Sequence, residues 1–340
     1  MTLVSVITPS YNQVNFLENT IRSVLLQDEV EIEYCVVDGA SQDSSQQIIE
    51  QYSDQLAWWI SEKDSGQAEA INKGFQRARG EIIAWLNSDD LYLPGAIQRA
   101  VSVLEANPQL GMVFGDAITI DGQGHPLNRL SFGNWGLLDF LGFRMICQPA
   151  VFMRRSVLEE AGFLDTNYHF MLDHHLWIRI ARLAPIQHIP DLLAAARQHP
   201  GAKNVRQAAG FSQETQRLLE WMTVQPDLAE ITRQKRSFIL GGAYRLQARY
   251  YLDGGQPIQS LRLYARAIRY SPRYALKHWH RMVYALFCMA GAKELADQTL
   301  RRASRQRKSL SVAGLSGEAR LPTSLIGQEG WPGLTLEKSS

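Results

Sequence analysis

Between Leu3 and Asp90 the chain alternates short β-rich apolar runs with segments of helical spacing, and that alternation restricts it to a layered α/β fold. Leu3-Val4-Ser5-Val6-Ile7-Thr8 is stopped by Pro9, and residues 15–26 follow with Phe16, Ile21, Val24 and Leu25 at helical intervals. Residues 31–37 predict a second strand and 42–52 a second helix; residues 56–60 predict a third strand and 66–79 a third helix, with Ala68, Ile71, Phe75 and Ala78 toward the sheet. Gly80 ends that helix before a fourth strand over 81–86. The repetition predicts a mostly parallel sheet with right-handed crossovers, a class that binds ligands beyond the carboxyl ends of its strands. Four polar clusters fall at those ends: Thr8-Pro9-Ser10-Tyr11-Asn12, Asp38-Gly39-Ala40-Ser41, Ser61-Glu62-Lys63-Asp64 and Asn87-Ser88-Asp89-Asp90.

The last cluster closes an apolar run with two adjacent carboxylates. Side by side they repel, and desolvating either is costly unless positive charge compensates. Oxygen ligands without Cys or His beside them suit Mg²⁺ or Mn²⁺, held by one or two carboxylates with substrate phosphates completing the shell. An Asx-rich turn with Pro94 opening the next helix is the other reading of the same residues. With 340 residues, 45% hydrophobic and 20% charged, the composition is that of a globular protein with one large and one smaller domain, and a net charge of +1 removes nucleic acid as the default partner. Cys35, Cys147 and Cys288 are widely separated and odd in number, which points to a reducing compartment without disulfides. Met1 to Thr8 lacks a basic leader, and no apolar stretch approaches the roughly 20 residues needed to cross a bilayer; the expectation is a cytoplasmic protein, with any membrane contact peripheral at the inner face.

The ordered segments Ser5-Val6-Ile7-Thr8-Pro9-Ser10-Tyr11-Asn12, Val36-Val37-Asp38-Gly39-Ala40-Ser41-Gln42-Asp43, Ser61-Glu62-Lys63-Asp64-Ser65-Gly66, Ala70-Ile71-Asn72-Lys73-Gly74 and Leu86-Asn87-Ser88-Asp89-Asp90 resemble the motifs of family 2 glycosyltransferases. The resemblance covers roughly residues 1–200, continuing through Gln148-Pro149-Ala150-Val151, Gly162-Phe163-Leu164-Asp165 and Asp173-His174-His175-Leu176-Trp177. It implies a GT-A fold, a nucleotide-sugar donor with UDP-sugars foremost, a divalent ion and an inverting transfer to a glycan or lipid-linked acceptor, in the assembly of surface polysaccharide or glycolipid. It places Asp38 at the nucleotide base, with Thr8 and Tyr11 lining the same pocket, and sets Asp64, Asn72 and Lys73 toward the donor. Ser88 stands where the family's Asp-Xaa-Asp motif has its first aspartate, which puts the metal on Asp90 and a donor contact on Asp89. Asp173 matches the general base, His199 a late histidine at the metal or diphosphate, and Gln148 a segment near the sugars. At most one of His174 and His175 lines the acceptor cleft, because adjacent helical residues diverge, and His174 is the one assigned. Trp177, with Trp135, Phe140 and Phe143, offers a sugar platform, and residues 121–143 shape the acceptor pocket. Each assignment has a plainer counterpart: Lys73 as a solvated lysine, Asp173 as a helix cap, His199 as a turn residue, and the aromatics as core.

After about residue 204 helical patterns replace the alternation, giving three expected parts: a GT-A domain over 1–203, a helical appendage over 204–300, and a basic, then Ser- and Gly-rich tail over 301–340 that is expected to be disordered. Arg262, Arg266, Arg269 and Arg273 fall on one helical face, with Leu261, Tyr264 and Ile268 turned away, beside the apolar segment 282–292. That combination suits peripheral contact with an anionic membrane, or else a solvated face on a packed hairpin. Two other function classes are set against the transferase. A nucleotidyltransferase would carry a Gly-rich phosphate loop where Thr8-Pro9-Ser10-Tyr11-Asn12 stands. A catalytically silent scaffold would bind partners through the appendage.

Overall fold

The computed structural model describes residues 1–199, 208–292 and 294; the segments 200–207 and 301–340, including the tail, lie outside the described residues. Nine strands form one sheet in the order β3-β2-β1-β4-β8-β6-β9-β5, with β7 attached to β6. Strands β1 (Leu3–Ser10), β2 (Glu31–Asp38), β3 (Trp58–Ser61) and β4 (Ile82–Trp85) alternate with helices α1 (Leu17–Leu25), α2 (Ser45–Gln51) and α3 (Gln67–Arg77), and these four strands pair in parallel. Beyond β4 the expectation of a mostly parallel sheet is corrected: β8 (Val151–Arg154) runs antiparallel to both β4 and β6 (Met112–Ile120), β9 (Ile186–Arg197) is parallel to β6, and β5 (Leu91–Tyr92) and β7 (Pro126–Leu130) join antiparallel. Local periodicity carries no signal for pairings between segments this far apart in sequence.

The central strands are buried on both faces and alternate their side chains between two cores. Val4 and Val6 of β1 face a core with α1 and α4 (Ala96–Ala106), while Ile7 joins Ile83, Trp85, Met112 and Phe114 against α3 and α7 (Leu172–Leu183). This second core continues into the appendage. Helices α5 (Leu137–Leu141) and α6 (Arg155–Ala161) precede α7, and α8 (Ala208–Val224), α9 (Pro226–Gln234) and α10 (Arg236–Asp253) contribute Phe211, Leu218, Met222, Leu228, Ile239, Ala243 and Leu246 to it. The appendage helices therefore share a core with the sheet domain. The chain ends, among the described residues, in α11 (Pro257–Tyr270), α12 (Pro272–Ala275) and α13 (Trp279–Met289). Ser260, Leu263, Tyr264 and Ala267 are the buried residues of α11; of the residues expected to turn inward, Tyr264 is buried and Leu261 and Ile268 are half-buried.

Candidate active site

Strand register builds the first half of the site. Ser10 lies opposite Asp38, and Asp38 opposite Ser61, so three strand ends present polar residues side by side. The buried Asp38 carboxylate accepts from Ser41 N (2.9 Å), Ser41 Oγ (2.5 Å) and Ser61 Oγ (2.6 Å), which fixes its orientation. Gly39 follows because nothing larger fits: a Cβ there would lie 2.7 Å from Asp64 Oδ2 and against the Tyr11 ring. Tyr11 is 60% exposed, Asp64 accepts from Gly66 N (2.8 Å), and burial pushes the Asp64 carboxyl up, with the Asp38 charge adding in the same direction. Asp38, Tyr11 and Asp64 thus lie together around Gly39 at the ends of β1, β2 and β3.

The antiparallel register of β5 on β9 builds the second half. Leu91 opposes Ala195 and Tyr92 opposes Ala194, so residues just before β5 meet residues just after β9. Asp90 is 6% exposed; its Oδ1 accepts from Arg197 N (2.8 Å) and its Oδ2 from Asn87 Nδ2 (3.3 Å). Burial, reinforced by the Asp89 charge, raises its pKa well above the usual carboxylate value. Thr20 Oγ1 and Arg197 Nε hold the carbonyls of Asp90 and Asp89 (2.8 Å each), and the Arg197 guanidinium lies 4.9 Å over the Phe16 ring. Asp89 has the open position, its Oδ2 lying 3.1 Å from His199 Nε2. Asp90 is thus the anchor of the turn, and Asp89 with His199 forms the more open pair.

The floor between the two halves is polar. Because β8 runs back along β4, Gln148 reaches the end of β4, where its Nε2 donates to Trp85 O (2.8 Å) and its Oε1 accepts from Asn87 Nδ2 (3.0 Å); Gln67 Nε2 donates to Asn87 Oδ1 (2.7 Å). Burial first, and then the charges of Asp90 and Asp173, push the neighbouring Cys147 thiol up. Asp173 stands in the first turn of α7, partly exposed, with its carboxyl pushed up to about 6 chiefly by burial.

Five of the expected contact residues are engaged by the protein itself. Thr8 is buried with its Oγ1 3.0 Å from Tyr34 Oη. His174 is buried, stacked on Phe143 with Nε2 2.9 Å from Phe140 O, and burial lowers its pKa to about 4. Trp177 stacks on Trp85 inside the second core. Lys73 is tied to Glu62 (2.8 Å) and Glu69 (3.2 Å), and Asn72 is bonded on both sides to the Leu164 backbone (2.8 and 3.0 Å). His174 and Trp177 are therefore core residues, as the plainer reading of the aromatics had it. Sequence reasoning put Asn87 and Ser61 in the polar strand-end clusters without individual roles and gave Arg197 none; the partners of Arg197 come from strand pairing across as many as 108 positions, which no local pattern reports.

Residues 5–162 match the family model described as Glycosyl transferase family 2. The chain is 31% identical over 224 residues to the uncharacterized glycosyltransferase alr2836 of Nostoc sp., an alignment covering 62% of this chain and 69% of that protein. It is 29% identical over 220 residues to an uncharacterized glycosyltransferase of Rickettsia conorii, and there it spans only 36% of the relative's length. Among solved structures, S. aureus TarS 1-349, solved in complex with UDP-GlcNAc, is similar with a TM-score of 0.58 at 17% identity over 89% of this chain and 92% of that one. A mannosyltransferase from Pyrobaculum calidifontis, solved with GDP-Man and Mn²⁺, is similar with a TM-score of 0.54 at 20% identity over 85% and 86%.

Proposed function

We propose that this chain, which belongs to glycosyl transferase family 2, moves a sugar from a nucleoside-diphosphate donor to a hydroxyl of a glycan or lipid-linked acceptor, with inversion at the anomeric carbon. What supports the proposal is an oriented carboxylate at the end of β2 (Asp38), an open acid–imidazole pair between the residues before β5 and those after β9 (Asp89 and His199) and a carboxyl of raised pKa in the first turn of α7 (Asp173). The similar structures support the donor class, since they were solved with UDP-GlcNAc and with GDP-Man. UDP-sugars are the first donors to test.

The residues present fit a divalent ion of one kind. Asp89 Oδ2 and His199 Nε2 lie side by side at 3.1 Å, while no group of three His, Cys, Asp or Glu converges among the described residues. Two protein ligands without a third suit Mn²⁺ or Mg²⁺ shared with donor phosphates, and do not suit an all-protein cage. When bound, such an ion supplies positive charge against the departing diphosphate. Asp38 accepts a hydrogen bond from the base, beside the Tyr11 ring. Gln148 holds the floor and can turn to a sugar hydroxyl. As the acceptor oxygen forms its bond to the anomeric carbon, the bond to the diphosphate breaks, its electron pair leaves with the phosphate, and the hydroxyl proton passes to Asp173. A base with a pKa of about 6 is largely ionised at neutral pH yet keeps basicity, the compromise general-base catalysis requires.

The test is calorimetric titration of UDP and GDP with and without Mn²⁺, followed by release of the diphosphate from a panel of nucleotide-sugars. Mn²⁺-dependent binding with turnover supports the transferase. Binding without turnover across the panel and a range of acceptors supports the silent scaffold, and absence of nucleotide binding overturns the transferase.

A further inference from the structure

We infer that Glu214, on appendage helix α8, is a positioning residue for Asp173, pinning the turn from which α7 rises. This inference rests on the transfer reading above. Its Oε1 accepts from His169 N (2.7 Å) and its Oε2 from Phe170 N and Met171 N (2.8 Å each), and the residue is 6% exposed. Those three amides directly precede α7, whose N-terminus has no side-chain cap of its own. A helix start leaves backbone donors unsatisfied, and a carboxylate is a favourable acceptor there. Here that acceptor comes from more than forty residues downstream. One turn along α8, Arg217 donates to Asn167 O (2.7 Å) and lies 5.7 Å over the Tyr168 ring, while Phe211 packs 5.0 Å from Phe170. The helix therefore grips the turn at each residue from 167 to 171, two residues before Asp173.

The Glu214 charge also reaches the base. Burial is the main cause of the raised Asp173 pKa, and Glu214 adds in the same direction. The other titratable groups around Asp173 are the Cys147 thiol and the Tyr250 hydroxyl, from the floor and from α10, and the Asp90 charge also acts on Cys147. Removing the Glu214 charge lowers the Asp173 pKa, so the acid limb of the rate profile moves to lower pH.

The test compares kcat, donor KM and the pH profile of transfer for Glu214→Gln, Glu214→Ala and Glu220→Gln, the last removing one charge from an exposed position of the same helix. Expected are a fall in kcat of up to about 10²-fold for Glu214→Ala, as for a catalytic group misplaced by an ångström, an unchanged donor KM, an acid limb at lower pH in both Glu214 variants, and no change in Glu220→Gln. An unmoved acid limb with unchanged kcat overturns the inference, as does a loss shared equally by donor binding. Hydrogen exchange on the wild-type chain adds a check that needs no variant: the His169, Phe170 and Met171 amides are expected to be as protected as the first turns of α7, and exchange at open-loop rates refutes the brace. Asp173→Asn is run beside these: absence of turnover in the wild-type chain means the transfer reading itself has failed, whereas turnover unchanged in Asp173→Asn withdraws the base assignment that Glu214 is inferred to serve.

Discussion

Asp173 owes its pKa of about 6 first to burial, and that value sets a sign for the pH dependence. Below it the carboxyl is protonated and cannot accept the acceptor's proton, so the rate is expected to fall about tenfold per pH unit on the acid side and to level off above it. Asp173→Asn keeps the shape and removes the proton acceptor; kcat should drop on the order of 10²–10⁴-fold while nucleotide affinity stays constant. Unchanged turnover in that variant withdraws the base assignment. The two acids of the turn make a second contrast. Asp89→Asn and His199→Ala are expected to lose the Mn²⁺-dependent gain in UDP affinity. Asp90→Asn should keep that gain, because an Asn Oδ1 still accepts from Arg197 N. The reverse pattern in calorimetry would return the metal to Asp90.

At the scale of elements, the three β-α steps, the fourth strand and their polar ends were legible because each depends only on local periodicity and turn residues. Asp38 could be placed from the sequence since it ends a strand whose register follows the parallel order. His199 meeting Asp89 could not be derived from the residues, because it depends on β5 lying against β9, and β5 is only two residues long. His174 went astray for a related reason: helix α7 shows apolar neighbours on both sides, and only the appendage and α5 packed around it decide which residues are enclosed. The join between appendage and sheet domain is itself close-packed. Gly242 of α10 lies against the Gly142 carbonyl, with no space for a Cβ between them. Gly242→Val is expected to force these elements apart at a cost of about 1–3 kcal/mol, visible as a lower Tm. Since α10 shares a core with α7, kcat should fall with it, and a variant of unchanged Tm would show that the two parts are not coupled there.

For the whole molecule, the charge balance hides a strong asymmetry. From residue 254 to 292 the chain carries Arg262, Arg266, Arg269, Arg273, Lys277 and Arg281 and no acid, although the net charge of the protein is only +1. The first five are exposed, and next to them α13 turns Trp279, Val283, Leu286, Phe287 and Met289 outward on one side, with Trp279 62% and Leu286 55% exposed. None of the described helices is long and apolar enough to cross a membrane. A basic surface beside an outward apolar face with a tryptophan suits the headgroup layer of an anionic bilayer, where each Lys or Arg contributes about 1 kcal/mol near the surface. We propose that this face rests on such a bilayer, where a lipid-linked acceptor would be met. Cosedimentation is expected with vesicles containing phosphatidylglycerol and not with phosphatidylcholine alone, weakening as salt rises. Trp279→Ser with Leu286→Ser should reduce it through the apolar contact, and Arg269→Glu with Arg273→Glu through the charge, both with nucleotide binding intact. Absence of lipid binding together with concentration-dependent dimerisation abolished by the Trp279 and Leu286 changes would assign the face to a second copy of the chain instead.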